Sequence, residues 1–196
     1  MELRELSVKE LSDIYNKYMT TDFPSNELKP LERIVHTMRT GLCTAYGIFE
    51  HGDLRGYAIF IVPEGMRYGL LDYLAVLQDY RGTGVGHEFF GLIGDTLIRK
   101  YPQLSGFFIE SENIEFAADD ADQRAREKRI SFYRQNHCTM TSLGSMLFGV
   151  TYSILAYSFD DGFESAPRLE DLDAIYIAMF KRHHYENNVR LWQHGD

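Results

Sequence analysis

The chain is 196 residues long, carries a net charge of −9, and is 44% hydrophobic and 25% charged. That length suits one globular domain, and the balance is that of a folded protein, which excludes disordered, collagenous and coiled-coil chains. The acidic excess argues against a nucleic-acid binder, which needs a basic stripe to meet a polyanion, and favours cationic or amine-bearing ligands.

The first ten residues, MELRELSVKE, place charges where a signal peptide needs an apolar core. No run reaches the roughly 20 apolar residues that cross a bilayer, so a cytoplasmic chain without a membrane partner is expected. Residues 2–6 can pair as a short strand. Ser7 followed by Glu10 forms a capping box ahead of Leu11, Ile14, Tyr15 and Tyr18 at helical spacing, which predicts a helix from about Ser7. After a loop over Thr21–Asn26, Leu28, Leu31, Ile34, Val35 and Met38 repeat the helical period and Gly41 supplies a stop.

Cys43–Glu50, the turn His51-Gly52-Asp53 and Leu54–Val62 read as a hairpin, closed by Pro63-Glu64-Gly65. A strand over Tyr68–Val76 precedes the loop Leu77–Gly82 and a helix with Val85, Phe89, Leu92, Ile93 and Leu97 on one face. Gln103–Ser111 reads as a strand, Asn113–Asp122 as an acidic loop, and 123–137 as a basic helix. Strand-like runs follow at Cys138–Ser142 and Leu147–Phe159. In the tail, Leu169, Leu172, Tyr176, Met179 and His183 lie on one helical stripe, which predicts a C-terminal amphipathic helix. With no internal repeat or low-complexity linker, the economical division is a domain over 1–160 and a helical extension over 161–196.

Cys43 and Cys138 are far apart with no Cys-x-x-Cys pattern, so both read as buried small hydrophobes. His183 and His184 would point about 100° apart on a helix, and no further ligand completes a set, so no metal is expected.

The segment that carries chemistry is Gln78-Asp79-Tyr80-Arg81-Gly82-Thr83-Gly84-Val85-Gly86, with three alternate glycines between a strand and a helix. Glycine admits backbone conformations barred to other residues and leaves N–H groups uncovered. Added to the free N–H groups of the helix's first turn, these make an anion site suited to a pyrophosphate. A Walker loop would end in Gly-Lys-Ser/Thr, where this chain has Gly86-His87-Glu88. A dinucleotide fingerprint counted from Gly82 would need its third glycine at His87.

What remains resembles the acetyl-CoA signature of the GNAT superfamily of N-acetyltransferases, with Gln78, Arg81, Gly82, Gly84 and Gly86 on signature positions. Leu70–Val76 looks like the superfamily's splayed fourth strand, and Ile130–Asn136 like its late helix ending in Phe-Tyr. The resemblance covers roughly residues 1–159 and is strongest over 70–90 and 126–138. It implies an α/β (α+β) fold: a mixed, mostly antiparallel sheet with a splayed central strand pair, flanked by helices. It implies direct acetyl transfer from acetyl-CoA, the co-substrate, to a primary amine. By resemblance, Leu74, Val76, Arg81, Gly82, Thr83, Gly84, Val85 and Gly86 would hold the co-substrate, chiefly through main-chain groups.

Such a transfer has three needs. A lysine-like amine has a pKa near 10.4 and must lose a proton; the thioester oxygen must be stabilised as it gains charge; and the leaving thiolate must be protonated. By resemblance the Val76 amide would serve the second need and Tyr133 the third. Asp72, on the same strand parity as Val76, stands where several amine-acetylating relatives carry an acidic base, which by resemblance makes it the first candidate for the base, its alternative being a strand-edge salt bridge. Glu110 and Glu112 alternate on the next strand, share a face, and are the second choice. Facing one site, two carboxylates repel, which would raise the pKa of one of them.

Many relatives carry an asparagine where this chain has Arg126, and a small residue where it has Arg129. Arg124, Arg126, Lys128, Arg129 and Arg134 could meet a CoA phosphate or pair with Glu115, Asp119, Asp120 and Asp122; the pairing is favoured. His137 stands where a left-handed cap is expected. The charge and the aromatic content favour a small-molecule amine over a protein acceptor. A homodimer with the tail helix as its seam stays open. The alternative function is a non-catalytic acyl-CoA-binding regulatory module.

Overall fold

The computed structural model describes residues 1–160 and 166–194. The chain divides into two compact units, the first comprising Met1–Glu64 and Leu71–Lys100, the second Gly65–Leu70 and the residues from Tyr101 onward. Residues 2–5 pair with 46–49, 43–50 with 53–61, 106–112 with 152–158, 139–147 with 150–156 and 143–147 with 189–193, all antiparallel, and helices accompany the strands in both units.

In the first unit, β1 (Glu2–Glu5) leads into α1 (Val8–Ile14) through the expected capping box. The Glu10 amide donates to the Ser7 hydroxyl at 3.3 Å, and the Ser7 amide donates to the Glu10 carboxylate at 2.9 Å. The predicted loop from Thr21 begins later than expected. The helix continues as a π-turn over Tyr15–Met19 and as α2 (Thr20–Asp22). The wider turn explains a second difference. It advances the inward face by one residue, so that Met19, five residues after Ile14, is fully buried, whereas Tyr18, expected on that face, is only half-buried. Pro30 caps α3 (Leu31–Arg39), leaving Leu28 outside it, and Gly41 ends the helix with φ +76° as expected.

Strands β2 (Cys43–Glu50) and β3 (Asp53–Ile61) form the predicted hairpin. Glu50 faces Asp53 in register, so the turn is the two residues His51 and Gly52, both with positive φ, the form that matches strand twist. The strand order in this unit is β1-β2-β3-β4, where β4 spans Tyr68–Val76, its residues from Leu71 belonging here. A 3₁₀ turn over Gln78–Tyr80 replaces part of the expected loop, and α4 runs Val85–Lys100. Helix α4 buries Phe89, Phe90, Ile93 and Leu97. Gly56 on β3 must be glycine, because a Cβ there would lie 2.7 Å from the Ala75 carbonyl oxygen and 3.3 Å from Phe89.

The second unit has the strand order β5 (Gly106–Glu112), β7 (Val150–Ser158), β6 (Thr139–Leu147), β8 (Val189–Gln193). Strand β5 (Gly106–Glu112) starts three residues later than predicted. The expected acidic loop is in part a helix start. Asp119 accepts from the amides of Ala121 and Asp122, and α5 runs Asp120–Gln135, so the acidic residues sit at the positive end of its dipole. His137 takes the expected left-handed conformation at φ +64°.

The two strand-like runs after it are corrected to a hairpin of β6 (Thr139–Leu147) and β7 (Val150–Ser158), turned by Phe148 and Gly149, both with positive φ. The single tail helix is also corrected, to α6 (Leu169–Met179), α7 (Arg182–Asn188) and a strand β8 (Val189–Gln193) paired with β6. Trp192 of β8 lies across Gly144 of β6, where a Cβ would come within 2.4 Å of the indole. Cys43 and Cys138 are buried free thiols, and no helix among the described residues is long and apolar enough to cross a membrane.

Candidate functional site

In the first unit the site is built from the end of β4 and the start of α4. Along β4 the burial alternates, with Tyr73 and Ala75 buried on one face and Asp72, Leu74 and Val76 half-buried on the other. The chain then passes through Arg81, and Gly82 and Gly84 adopt φ +77° and +92°, a region that residues with a Cβ enter at a cost. The first amides of α4 to close a backbone bond are those of His87 and Glu88, both to the Gly84 carbonyl. Among the described residues, the amides of Gly82, Thr83, Gly84, Val85 and Gly86 have no acceptor. A Cβ at Gly82 or Gly84 would meet nothing within 4 Å. Five consecutive uncommitted donors beside open space, at the head of a 16-residue helix, are a good chemical fit to a diphosphate.

Two nitrogens of the half-exposed Arg81 side chain are bound to the protein. Its Nε donates to the Val76 carbonyl at 2.9 Å and its Nη2 to Asp22 at 2.8 Å, while the Tyr57 hydroxyl donates to the other oxygen of Asp22 at 2.7 Å. Burial and the Asp22 carboxylate both push the Tyr57 hydroxyl far above its ordinary pKa, so it remains a donor. The Thr83 hydroxyl donates to the Tyr80 carbonyl at 2.7 Å, and the Arg55 guanidinium stacks 4.0 Å over the Tyr80 ring. The cradle is therefore braced on both sides by polar contacts that no local pattern announces.

Asp72 is in an ion pair. Lys29 Nζ lies 2.5 Å from its Oδ1, and the carboxylate is only 8% exposed. The loop carrying Lys29 is itself anchored: the Lys29 amide donates to the Tyr73 hydroxyl, that hydroxyl donates to the Glu27 carbonyl, and the Tyr15 hydroxyl donates to the Lys29 carbonyl. Phe23 packs edge-on against Tyr73 at 4.9 Å and Tyr57 at 6.5 Å.

In the second unit, Tyr133 lies on α5 and is buried; burial pushes its hydroxyl up to about 12, against a lowering by the Arg129 charge. Glu110 and Glu112 share the same parity on β5, as expected, but their partners differ. The two oxygens of Glu112 are each bound by a guanidinium, Arg126 at 3.1 Å and Arg129 at 2.9 Å. Arg126 also holds Asp122 at 2.8 Å and the Asn113 carbonyl at 2.6 Å, so it staples α5 to the end of β5. The hydrogen bond from Arg126, followed by that from the Ala118 amide, in turn holds the Asp122 carboxyl below its ordinary range. Glu110 accepts from the hydroxyl of Tyr176, a fully buried residue of α6. In the sequence Tyr176 reads only as part of an apolar stripe, and neither Asp22 nor Lys29 stands out. Each is defined by a partner 43 to 66 positions away, a separation no local pattern reports.

No protein-family model matches the chain, and no curated protein matches it. Solved structures do. A putative GNAT-family acetyltransferase from Bacteroides thetaiotaomicron aligns over 94% of this chain and 98% of its own at 13% identity, with a TM-score of 0.65. The ribosomal-protein-S18-alanine N-acetyltransferase from Escherichia coli aligns over 85% and 99% at 15% identity, with a TM-score of 0.57. The spermidine N-acetyltransferase from Vibrio cholerae, solved in complex with CoA and spermine, aligns over 80% and 94% at 11% identity, with a TM-score of 0.58. Together with the glycine-rich turn between β4 and α4, these likenesses establish that the chain has the fold of the GNAT N-acetyltransferases.

Proposed function

We propose that the chain is a cytoplasmic N-acetyltransferase that moves an acetyl group directly from acetyl-CoA to a primary amine. The observation that carries this reading is the row of acceptor-free amides from Gly82 to Gly86 under two left-handed glycines. These amides would bind the diphosphate, with Leu74 and Val76 of β4 flanking the rest of the co-substrate. In this reading the Val76 N–H stabilises charge building on the thioester oxygen, and Tyr133, protonated at neutral pH, gives its proton to the departing sulfur. Glu110 takes the proton from the acceptor amine. We rank it above Asp72 and Glu112 because Lys29 closes the first and two guanidinium groups close the second.

For the acceptor we favour a small cationic amine over a protein. The chain's charge of −9 attracts cations, and the Vibrio relative was solved with a polyamine. The test of the whole reading is twofold. Acetyl-CoA at a hundred times its Kd should stabilise the protein by about 2.7 kcal/mol whereas NAD gives no shift. Thiol release from acetyl-CoA should then appear with at least one of a panel of polyamines, aminoglycosides, amino acids and lysine peptides. Absence of stabilisation by acetyl-CoA would end the proposal.

The closure of Asp72 and Glu112 by cations favours, as a second reading, a non-catalytic acyl-CoA-binding module. It predicts the same stabilisation with no thiol release from any amine.

A further inference from the structure

Glu110 is met by the C-terminal tail, the part of the chain that lies outside the sequence resemblance. From α6, Tyr176 donates to Glu110 Oε1, and Ser145 Oγ of β6 lies 3.2 Å from the same phenolic oxygen. A phenol has one proton and an ionised carboxylate only accepts, so that proton goes to Glu110 and the Ser145 hydroxyl is placed to donate to the phenolic oxygen. Tyr176 and Ser145 are both fully buried. Leu172, Ile175 and Met179 of the same helix are buried as well, and the Tyr176 ring lies 6.3 Å from that of Phe180, an apolar setting that a phenylalanine would also suit. Against packing alone, a tyrosine here carries the extra cost of finding a partner for its hydroxyl in a dry setting. The partner it has is Glu110, while the other carboxylate of β5, Glu112, is held by Arg126 and Arg129.

We propose that Tyr176 is a positioning residue for acetyl transfer, orienting Glu110 through Oε1 and setting the pH at which that carboxylate becomes able to accept the proton of the amine. The inference rests on the reading of the chain as an acetyltransferase with Glu110 as base. Donation to the charged form of a carboxylate lowers its proton affinity, so loss of the phenolic proton raises it. The other groups near this pair act in known senses. Tyr152 of β7 adds to the upward push on the Tyr176 hydroxyl, and Ser145 opposes it. The guanidinium groups of Arg126 and Arg129 from α5 lie two residues along β5, on Glu112. Burial and Glu110 itself hold the Tyr176 hydroxyl well above its ordinary value, so it stays a donor across the working range of pH.

The experiment is the pH profile of kcat/KM for thiol release, with one amine used throughout so that its own titration cancels between variants. Relative to wild type, Tyr176→Phe should move the acid-limb midpoint to higher pH by roughly half to one unit, with KM for acetyl-CoA unchanged within about twofold. Glu110→Gln should abolish that limb, and adding Tyr176→Phe to it should change nothing further. A purely structural role predicts a lower Tm with the midpoint unmoved, and that result overturns the proposal. So does an active Glu110→Gln with an unaltered acid limb. If Tyr176→Phe does not fold, Ser145→Ala carries the test: it weakens the phenol as a donor, so a smaller shift in the same direction supports the proposal and a superimposed profile overturns it. A wild type that binds acetyl-CoA but releases no thiol with any amine instead defeats the acetyltransferase reading on which the proposal stands.

Discussion

Tyr133 is the residue we propose as proton donor to the departing thiolate. It is buried, and that burial lifts its hydroxyl up to about 12, so it holds its proton at neutral pH while being a weaker acid than a free tyrosine. Tyr133→Phe should therefore lower kcat by at least about 10²-fold while leaving the affinity for CoA within a factor of two, as measured by steady-state kinetics beside calorimetric titration. A Phe variant with wild-type kcat removes Tyr133 from the mechanism. Arg81 makes a different argument. Because its guanidinium binds the Val76 carbonyl and Asp22, we propose that Arg81 serves co-substrate binding indirectly, by holding the end of β4 and the glycine turn in one geometry. Arg81→Met should raise KM for acetyl-CoA by about tenfold, and Asp22→Asn should reproduce much of that rise. Since the two residues share one hydrogen bond, the double variant should fall short of the sum of the two effects. Strict additivity would mean that Arg81 acts directly on the ligand.

Among the elements, α1 shows how a sequence pattern becomes a pH-dependent stability. The Ser7 hydroxyl and amide, followed by Arg4, hold the Glu10 carboxyl down at about 2 from an ordinary 4.5. With the folded value below the unfolded one, the contribution is complete above about pH 4.5, declines as protons bind the unfolded chain first, and is gone below about 2. Comparing wild type with Glu10→Ala by urea denaturation should show a stability gap that is constant from pH 7 to 5 and closes on acidification toward pH 2. A gap that persists at pH 2 would assign the effect to helix packing. This box was legible because both its halves lie within four residues of each other, and the same locality made the His51-Gly52 hairpin and the β4–turn–α4 sequence legible.

Legibility failed where an element depends on a distant partner. The expected run stops at Ser142, yet β6 continues through Gly144 to Leu147, and the glycine leaves the space that Trp192 of β8 fills. The tail reads as one helix because its stripe continues through His183, while the chain turns extended at Phe180 and Val189–Gln193 pairs with β6. For the site, the cradle was visible in its spacing, and the state of each carboxylate was not. Asp72, Glu110 and Glu112 look alike in sequence and are set apart by Lys29, Tyr176 and a pair of arginines.

For the whole molecule the decisive quantity is the charge of −9, with a pI near 5.2. The proposed reaction brings together two substrates of opposite sign, a co-substrate bearing a diphosphate and a cationic amine. The cradle attracts the first only at short range, through amides and a helix end whose influence fades within a turn. At longer range the net field repels the co-substrate and draws in the amine. Raising the ionic strength from 0.01 to 0.15 M shortens the screening length from about 30 to about 8 Å and suppresses that outer field. Over this range kcat/KM for a polyamine should fall several-fold, kcat/KM for an amine with a single charge should change far less, and kcat/KM for acetyl-CoA should hold or rise. The opposite signs of the two substrate responses are what tie the effect to the protein's charge, since a general salt effect on folding or chemistry moves both in the same direction. If both fall together, the acidic balance of the chain has no part in selecting its acceptor, and the preference for a cationic small molecule loses its physical basis.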